Sequence, residues 1–465
     1  MSKMFRPWLV DQAQLLPPSV SDFVPAGHVA HFVRDLVREQ LDLTAILESY
    51  SELRGYPPFD PVMMTALLLY SYSQGIYSSR RMARACEERL DFLAVTAMNR
   101  PDHRTISKFR RRHLSALSRL FVQVLRLCQQ AGLADLGHVA LDGTKIKANA
   151  SKHKAMSYER MLKTEPQLKA EVEAWLAAAE QTDEAEDAAL GEARGDETPD
   201  WVADKVRRMA KIQEAKAALE AEAKAQAGAK AKAAAARALL KDQRKRRGRP
   251  AQPKPKAGPK PATEVKPEPE PKPAPKAQRN FTDPESRIMV DGATKGFVQA
   301  YNAQAAVDGT AQVIVAADVT QAANDKQQLV PMLTEVAANC GASPAAASGD
   351  AGYFSAAAVT DAALAGIDLY IPPDRQTHGK APPPPADDGT VIGAMRAKLQ
   401  TAAGHAIYAL RKAIVEPVFG QIKGTRGFRR FAFRGLAKVQ AEWQLICLTH
   451  NLLKLFRAGW RPQAA

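Results

Sequence analysis

The chain has almost no cysteine: four residues in 465, Cys86, Cys128, Cys340 and Cys447, far apart and without a CxxC pair. This scarcity excludes a disulfide framework and argues against a zinc site, both of which need grouped thiols. Nothing at the start reads as a signal sequence, and a reducing, cytosolic environment fits such a chain best. Long apolar runs are also missing. The longest, such as Val62–Tyr70, fall well short of the roughly 20 residues a membrane helix requires, so no membrane insertion is expected. Aromatic residues make up only 6% of the chain, and acids are outnumbered by bases, leaving a net charge of +15. Such an excess suits a polyanion, either nucleic acid or an anionic membrane surface. The length exceeds one compact core and predicts about two to four structural units.

What is present falls into regions of different periodicity. From Phe23 to Gly132 apolar residues recur at helical spacing, as in Ile106, Phe109, His113, Leu117, Leu120, Val124 and Leu127, which predicts an all-helical N-terminal domain over 1–132. Within it a helix over Pro61–Gln74 breaks at Gly75 and another begins near Ser78 or Ser79, an order resembling a helix-turn-helix. A third helix follows Pro101-Asp102 and carries Lys108, Arg110, Arg111 and Arg112, cations able to reach DNA phosphates unless they form an ordinary solvated face. At His138 the pattern changes. HVALDGTKI reads as a buried strand that delivers Asp142 at its end. Residues 152–280 then read as an insertion, helical over 155–243, with a thin stripe of Val202, Val206, Met209, Ile212 and Leu219. Its remainder, 244–280, is so rich in lysine and proline that a disordered tether is expected. Strands follow over Phe297–Val307 and Gln312–Val319, split by the two-residue hairpin signal Asp308-Gly309. A helix over Asn324–Cys340, a short strand into Asp350, a helix over Ser355–Leu364, the strand Asp368–Ile371 and a helical tail complete the order.

A strand, a two-stranded hairpin, a helix, a strand, a helix and a strand is the connectivity of a ribonuclease-H-like core. The predicted class is therefore α/β, with the catalytic domain split over 133–151 and 281–465. Ligands bind at strand ends of such sheets, and there Asp142 and Asp350 fall, while Glu416 opens a later helix with Pro417 at its first position and so sits at the N-cap. Three acids from distant segments are enough to hold two magnesium ions, which prefer hard oxygen ligands and keep several waters.

Longer blocks carry a resemblance. LDGTKIKANAS from Leu141, GDAGYFS from Gly349 and VEPVFGQIKGTRGFRRFAFRGLAKVQAEWQLICLTHNLLKL resemble the two aspartate blocks and the glutamate block of the DDE transposases of bacterial insertion sequences. YPPFDPVMM and PDHRTISKFRRRH are similar to the N-terminal region of that family, and the resemblance covers nearly the whole chain apart from the insertion. It implies that Asp142, Asp350 and Glu416 are the catalytic metal ligands for two Mg²⁺ or Mn²⁺ ions. The partners it implies are double-stranded DNA, both as terminal inverted repeats and as target, in a homodimer or higher oligomer. It implies no membrane and no small-molecule substrate, and a cytoplasmic, nucleoid-associated location. The family's tyrosine, arginine, glutamate and lysine pattern resembles Tyr408, Arg411, Glu416 and Lys423, although Lys412 rather than Arg411 has the usual spacing before the glutamate.

The last 65 residues hold eleven Lys or Arg and two Asp or Glu, a footprint suited to phosphates. Phe428, Phe431 and Phe433 interleave there with Arg426, Arg429, Arg430 and Arg434, as core residues or as a surface for distorted DNA. Arg247-Gly248-Arg249-Pro250 matches the core of an AT-hook or is a basic linker with general phosphate affinity. The expected activity is cleavage at the ends of an insertion sequence and transfer of the 3′-OH ends to target DNA. The alternatives are a metal-dependent nuclease on the same fold and a non-catalytic DNA-binding descendant.

Overall fold

Two aspartates start the helices that organise the N-terminal segment. Asp60 accepts the Val62 and Met63 N–H groups at 2.6 and 3.4 Å ahead of Pro61, and Asp102 accepts those of Arg104 and Thr105 at 2.7 and 3.1 Å. Each satisfies amides that a helix start leaves without partners. The computed structural model describes residues 19–50, 57–190, 200–247, 271–292, 294–375 and 389–462. Seven helices come first: α1 (Val29–Glu39), α2 (Thr44–Leu47), α3 (Pro61–Ser73), α4 (Ser79–Glu88), α5 (Leu90–Thr96), α6 (His103–Arg112) and α7 (Leu114–Gln130). Every residue of α3 from Met64 to Ser73 is buried, with α1, α5, α6 and the later helix Leu436–Arg457 packed against it. Between α3 and α4 the chain turns at Gly75, whose φ is +72° and whose absent Cβ would lie 2.7 Å from the Arg426 carbonyl oxygen. Only glycine meets both demands. The predicted unbroken stripe through His113 is two helices, because His113 leaves helical geometry and bonds the Tyr50 hydroxyl at 3.1 Å.

By internal packing the chain divides into two compact units, residues 1–149 with 289–465, and residues 150–288. The first contains β1 (His138–Lys147) and, after the second unit, most of a sheet built with β4 (Arg287–Val290), β5 (Phe297–Asp308), β6 (Ile314–Thr320), β7 (Ala346–Ser348) and β8 (Asp368–Tyr370). Strand β5 lies antiparallel to β1 from Val139↔Asp308 to Lys147↔Ala300 and antiparallel to β6 on its other side. Strand β7 runs parallel to both β1 and β8. This is a mixed sheet. Helices α10 (Leu329–Cys340), α11 (Ala356–Val359), α12 (Val391–Gln400), α13 (Ala402–Gly420) and α14 (Leu436–Arg457) complete the unit. Helix α14 packs on α7 and β6, and its buried Trp443 donates to the Gln304 carbonyl at 2.8 Å.

Several expected boundaries move. The β5–β6 connection is longer than Asp308-Gly309: Asp308 caps it by accepting from Thr310 and Leu136, and Gln312 takes a positive φ of 59° before β6 begins at Ile314. Helix α10 starts at Leu329 rather than Asn324, and the helix expected over Ser355–Leu364 is α11 followed by a separate 3-10 turn.

The second unit is a helical hairpin of α8 (Tyr158–Leu190) and α9 (Asp200–Arg247), with β2 (Ala155–Ser157) antiparallel to β3 (Gln278–Asn280) at its base. Its core is small: Met156, Tyr158, Met161, Leu168, Ile212, Ala215 and Leu219, joined by Ala277 and Phe281. Val206 of the predicted stripe is 42% exposed, so the seam runs through Ala215 instead. The tether expected over 244–280 is partly ordered. Helix α9 continues through Arg247, and the carbonyls of Ala277 and Pro275 accept from Tyr158 and Glu159 at 2.8 and 3.1 Å, held by the packing of Ala277 and Phe281. Residues 248–270 of that expectation lie outside the described residues.

Candidate active site

Strand register places the first two acids. The last paired residues of the parallel strands β1 and β7 are Ala140 and Ser348, and two residues further along each come Asp142 and Asp350. Neighbouring strands lie about 4.8 Å apart, so equal offsets set these carboxylates side by side. Asp142 is not at a strand end as expected. Pairing with the long β5 carries β1 on to Lys147, leaving Asp142 in mid-strand but just past the end of β7. Asp350 lies in the turn after β7, where it accepts the Gly352 N–H at 2.8 Å.

The Asp142 carboxyl is pushed up to about 6, first by burial and then by the nearby charges of Asp350 and Asp325. Arg411 of α13 and the Gly143 N–H, 2.9 Å away, pull the other way. Arg411 is itself buried, with a guanidinium nitrogen 3.9 Å from Asp142 and its Nε without a partner. It lies over the Tyr408 ring at 5.9 Å, and burial raises the Tyr408 hydroxyl above its ordinary range. Lys145 is lowered by burial, with the three aspartates opposing that shift.

Asp325 is a site acid that the sequence did not reveal. It lies between β6 and α10, where its Oδ1 accepts from Asn302 and Gln304 of β5, each at 2.6 Å. Gln304 in turn accepts the buried Tyr353 hydroxyl, so one polar chain links β5, the loop before α10 and the turn after β7. Two glycines leave it room. A Cβ on Gly143 would lie 2.6 Å from Asp325 Oδ1 and 2.4 Å from Gln304 Nε2, and one on Gly352 would lie 2.8 Å from Asp350 Oδ1. The nearest sequence signal is the glycine that follows Asp142, and a lone Asp-Gly reads first as a turn.

Glu416 stands apart from these acids. It is exposed within α13, which runs from Ala402 through Gly420 with Thr401 as its N-cap, so the expected N-cap position of Glu416 is overturned. Pro417 is tolerated inside the helix for a local reason. It lacks the N–H that would bond the Ala413 carbonyl, and Gln312 Nε2 donates to that carbonyl instead at 2.9 Å. After Gly420 the backbone widens into a π-helical turn, Gln421–Thr425. Lys423 projects from it to donate to Thr144 Oγ1 and, at 2.9 Å, to the Lys145 carbonyl. Thr144 is the next residue on the Asp142 face of β1, so Lys423 reaches the rim of the acid site.

The expected phosphate contacts separate by burial. Arg110 donates to the Tyr72 hydroxyl and the Tyr77 carbonyl at 3.1 and 2.7 Å under the Phe433 ring. Arg426 donates to Thr449 Oγ1 at 2.7 Å and to the Ile446 carbonyl. Both are buried struts rather than DNA contacts. Lys108, Arg111, Arg112, Lys412, Arg429 and Arg430 are exposed, although Arg112 also donates to the Ser49 carbonyl and covers Tyr50 at 4.7 Å. Arg247 is the last residue of α9, and Arg249 with the rest of the RGRP motif lies outside the described residues. Phe428, Phe431 and Phe433 are core, with Phe428 packed on Phe431 and Trp443. The loop that carries them is held by buried Glu442, which accepts the Ala432 and Phe433 N–H groups at 2.9 and 3.2 Å.

Among the described residues no three or more His, Cys, Asp or Glu close into a metal cage. The donors of the Asp142, Asp350 and Asp325 cluster are nevertheless all hard carboxylate oxygens, with one guanidinium to offset them. Also among the described residues, no helix is long and apolar enough to cross a membrane. Two families match the chain: one described as Transposase domain (DUF772), over residues 18–112, and one described as Transposase DDE domain, over residues 390–456. The second match takes in Tyr408, Arg411, Glu416 and Lys423, whereas Asp142 and Asp350 lie outside both. No curated protein and no solved structure matches the chain.

Proposed function

Because the chain is a DDE-type transposase of an insertion element, with a helical N-terminal region and a ribonuclease-H-like core, we propose that it cuts the ends of its element and joins the freed 3′-OH ends to target DNA. The observation that supports this most is the closeness of Asp142, in β1, to Asp350, in the turn after the parallel neighbour β7, both half-buried. Carboxylate oxygens without histidine or cysteine suit Mg²⁺ or Mn²⁺. Asp142 and Asp350 would hold two such ions, Glu416 would join them from α13, and Asp325 stands beside them as a further oxygen donor. When bound, ions of this kind lower the pKa of water and offset charge on the entering and leaving oxygens of a phosphodiester.

The chain's own groups do the positioning. Arg411 orients Asp142, while Asn302, Gln304 and Tyr353 fix Asp325 against the gap at Gly143. Lys423 spends two of its ammonium hydrogens on Thr144 and Lys145, leaving one for a phosphate at the rim. The exposed cations of α6 and of residues 412–430 supply backbone contacts to duplex DNA, and synapsis of two ends requires at least two copies.

The test uses purified protein, Mg²⁺ or Mn²⁺, and DNA bearing the terminal repeats. Wild type cuts and joins, and Asp142→Asn binds without cutting. Wild-type cleavage by Asp142→Asn would overturn the site. Cleavage without joining would reduce the reading to a metal-dependent nuclease, and parallel assays of Glu416→Gln and Asp325→Asn decide which of those two acids serves with the aspartate pair.

A further inference from the structure

The helical unit, residues 150–288, matches its charges along one seam and leaves them unmatched in one pocket. Along the seam Lys216 pairs with Glu165 at 2.9 Å and Lys205 with Glu171 at 2.6 Å, while Arg279 and Arg287 share Glu222 at 2.6 and 2.9 Å. Elsewhere in the unit His153, Lys154, Arg160, Arg207, Arg208 and Lys211 surround an open pocket of about 630 Å³ whose apolar lining is Ala155, Met156 and Phe281. Its one acid, Asp204, pairs with Arg207 alone, at 3.6 Å. Lys154, Arg160, Arg208 and Lys211 are exposed, and none forms an ion pair among the described residues.

These cations come from three places in the chain: the 3-10 turn Lys152–Lys154, the first turn of α8 and the early turns of α9. The fold therefore gathers like charges that are distant in sequence. Gathered round one pocket, like charges repel, and this repulsion is a cost that a polyanion removes. Guanidinium groups grip phosphate oxygens through two parallel hydrogen bonds, and lysine adds a point charge. Contacts made in this way to phosphate oxygens carry no sequence information.

We propose that this pocket is a second DNA-binding site, one that takes phosphates of the duplex backbone without regard to sequence. The choice of duplex DNA among polyanions rests on the transposase reading above; the phosphate chemistry rests on the pocket.

The experiment compares full-length wild type with the triple variant Arg160→Ala/Arg208→Ala/Lys211→Ala. Affinity for a mixed-sequence duplex is measured by fluorescence anisotropy between 50 and 200 mM salt, with circular dichroism melting to verify the fold. Each phosphate contact contributes about 0.9 to the slope of log affinity against log salt, so the triple variant should lose roughly 2 to 3 from that slope. A charge-matched control, Lys163→Ala/Lys169→Ala/Lys205→Ala, removes lysines already paired with Glu159, Glu173 and Glu171 and should keep the wild-type slope. The pair Arg160→Lys/Arg208→Lys keeps the charge and should keep most of the slope even if the alanine variant folds poorly. A wild-type slope in the triple variant overturns the proposal, as does an equal loss in the control. A loss seen with heparin or single-stranded RNA but not with duplex DNA also overturns it. Terminal-repeat cleavage is assayed on the same preparations: normal cleavage with an unchanged slope removes the pocket and leaves the transposase reading standing. A reduced slope where even wild type fails to cleave keeps the pocket and removes that reading.

Discussion

Each unit gathers a local cluster of like charge, acidic in the first and basic in the second, and the two clusters are held by different means. In the first unit, three aspartates share one nearby guanidinium and are kept in place by a polar chain anchored in a deep core. In the second, six basic side chains share one acid on a hairpin whose core is a handful of side chains. The first arrangement resists relaxation because its members are half-buried and held by hydrogen bonds to Gly143, Gly352, Asn302 and Gln304. The second persists because exposed cations are well hydrated and their repulsion is partly screened. A charge excess can thus be maintained by rigidity or by solvent, and the two should respond differently to mutation.

The largest effect is expected where rigidity and chemistry meet. Asp142→Asn should lower terminal-repeat cleavage by at least about 10³-fold while leaving duplex affinity nearly unchanged, as read by gel-based cleavage and anisotropy on one preparation. Next comes the core behind the acids. Trp443→Ala removes a fully buried ring and its bond to Gln304, and should cost about 3–5 kcal/mol in denaturant unfolding. Gly143→Ala drives a methyl group into Asp325 and Gln304 and should cost about 1–3 kcal/mol by the same measurement, with cleavage falling further than stability alone explains.

A pH series separates buried from solvated charge. Burial raises the Glu442 carboxyl from 4.5 to about 7, so folding favours its protonated form. Its contribution to stability is complete below about 4.5 and is lost as pH rises through about 7. The melting temperature should therefore fall between pH 5 and 8, and Glu442→Gln should flatten part of that fall; an identical profile in the variant removes Glu442 as the cause. The smallest effect belongs to the second unit. Lys216→Ala breaks a half-exposed pair with Glu165 and should cost under about 1 kcal/mol.

Much of this fold is legible because it is periodic. The strand at HVALDGTKI, the pairing of β5 with β6, the turn at Gly75 and the packing helix α14 all follow from local alternation, helical spacing or glycine. Burial of a charge is not local. Arg110 and Arg426 read as phosphate contacts because their neighbours are basic, but Tyr72, Tyr77 and Thr449, distant in sequence, decide that they are struts. Asp325 went unseen for the same reason. Its segment reads as the first turn of the helix expected over Asn324–Cys340, where an acid is ordinary, and its partners Asn302 and Gln304 belong to a strand over twenty residues earlier. The placement of Glu416 failed through a rule applied in isolation. Proline usually marks a helix start, but Gln312 from the β5–β6 connection satisfies the carbonyl that Pro417 leaves without its partner.

Gly143 has a further consequence. Side chains alternate across a strand, so Asp142 faces α13 while position 143 faces the side where Asp325 is held. A glycine inside a strand forfeits roughly 0.5–1 kcal/mol of stability, and here it makes the room that Asp325 and Gln304 occupy. The missing side chain lets the Asp325 carboxylate come close enough to β1 for its charge to help push the Asp142 carboxyl up.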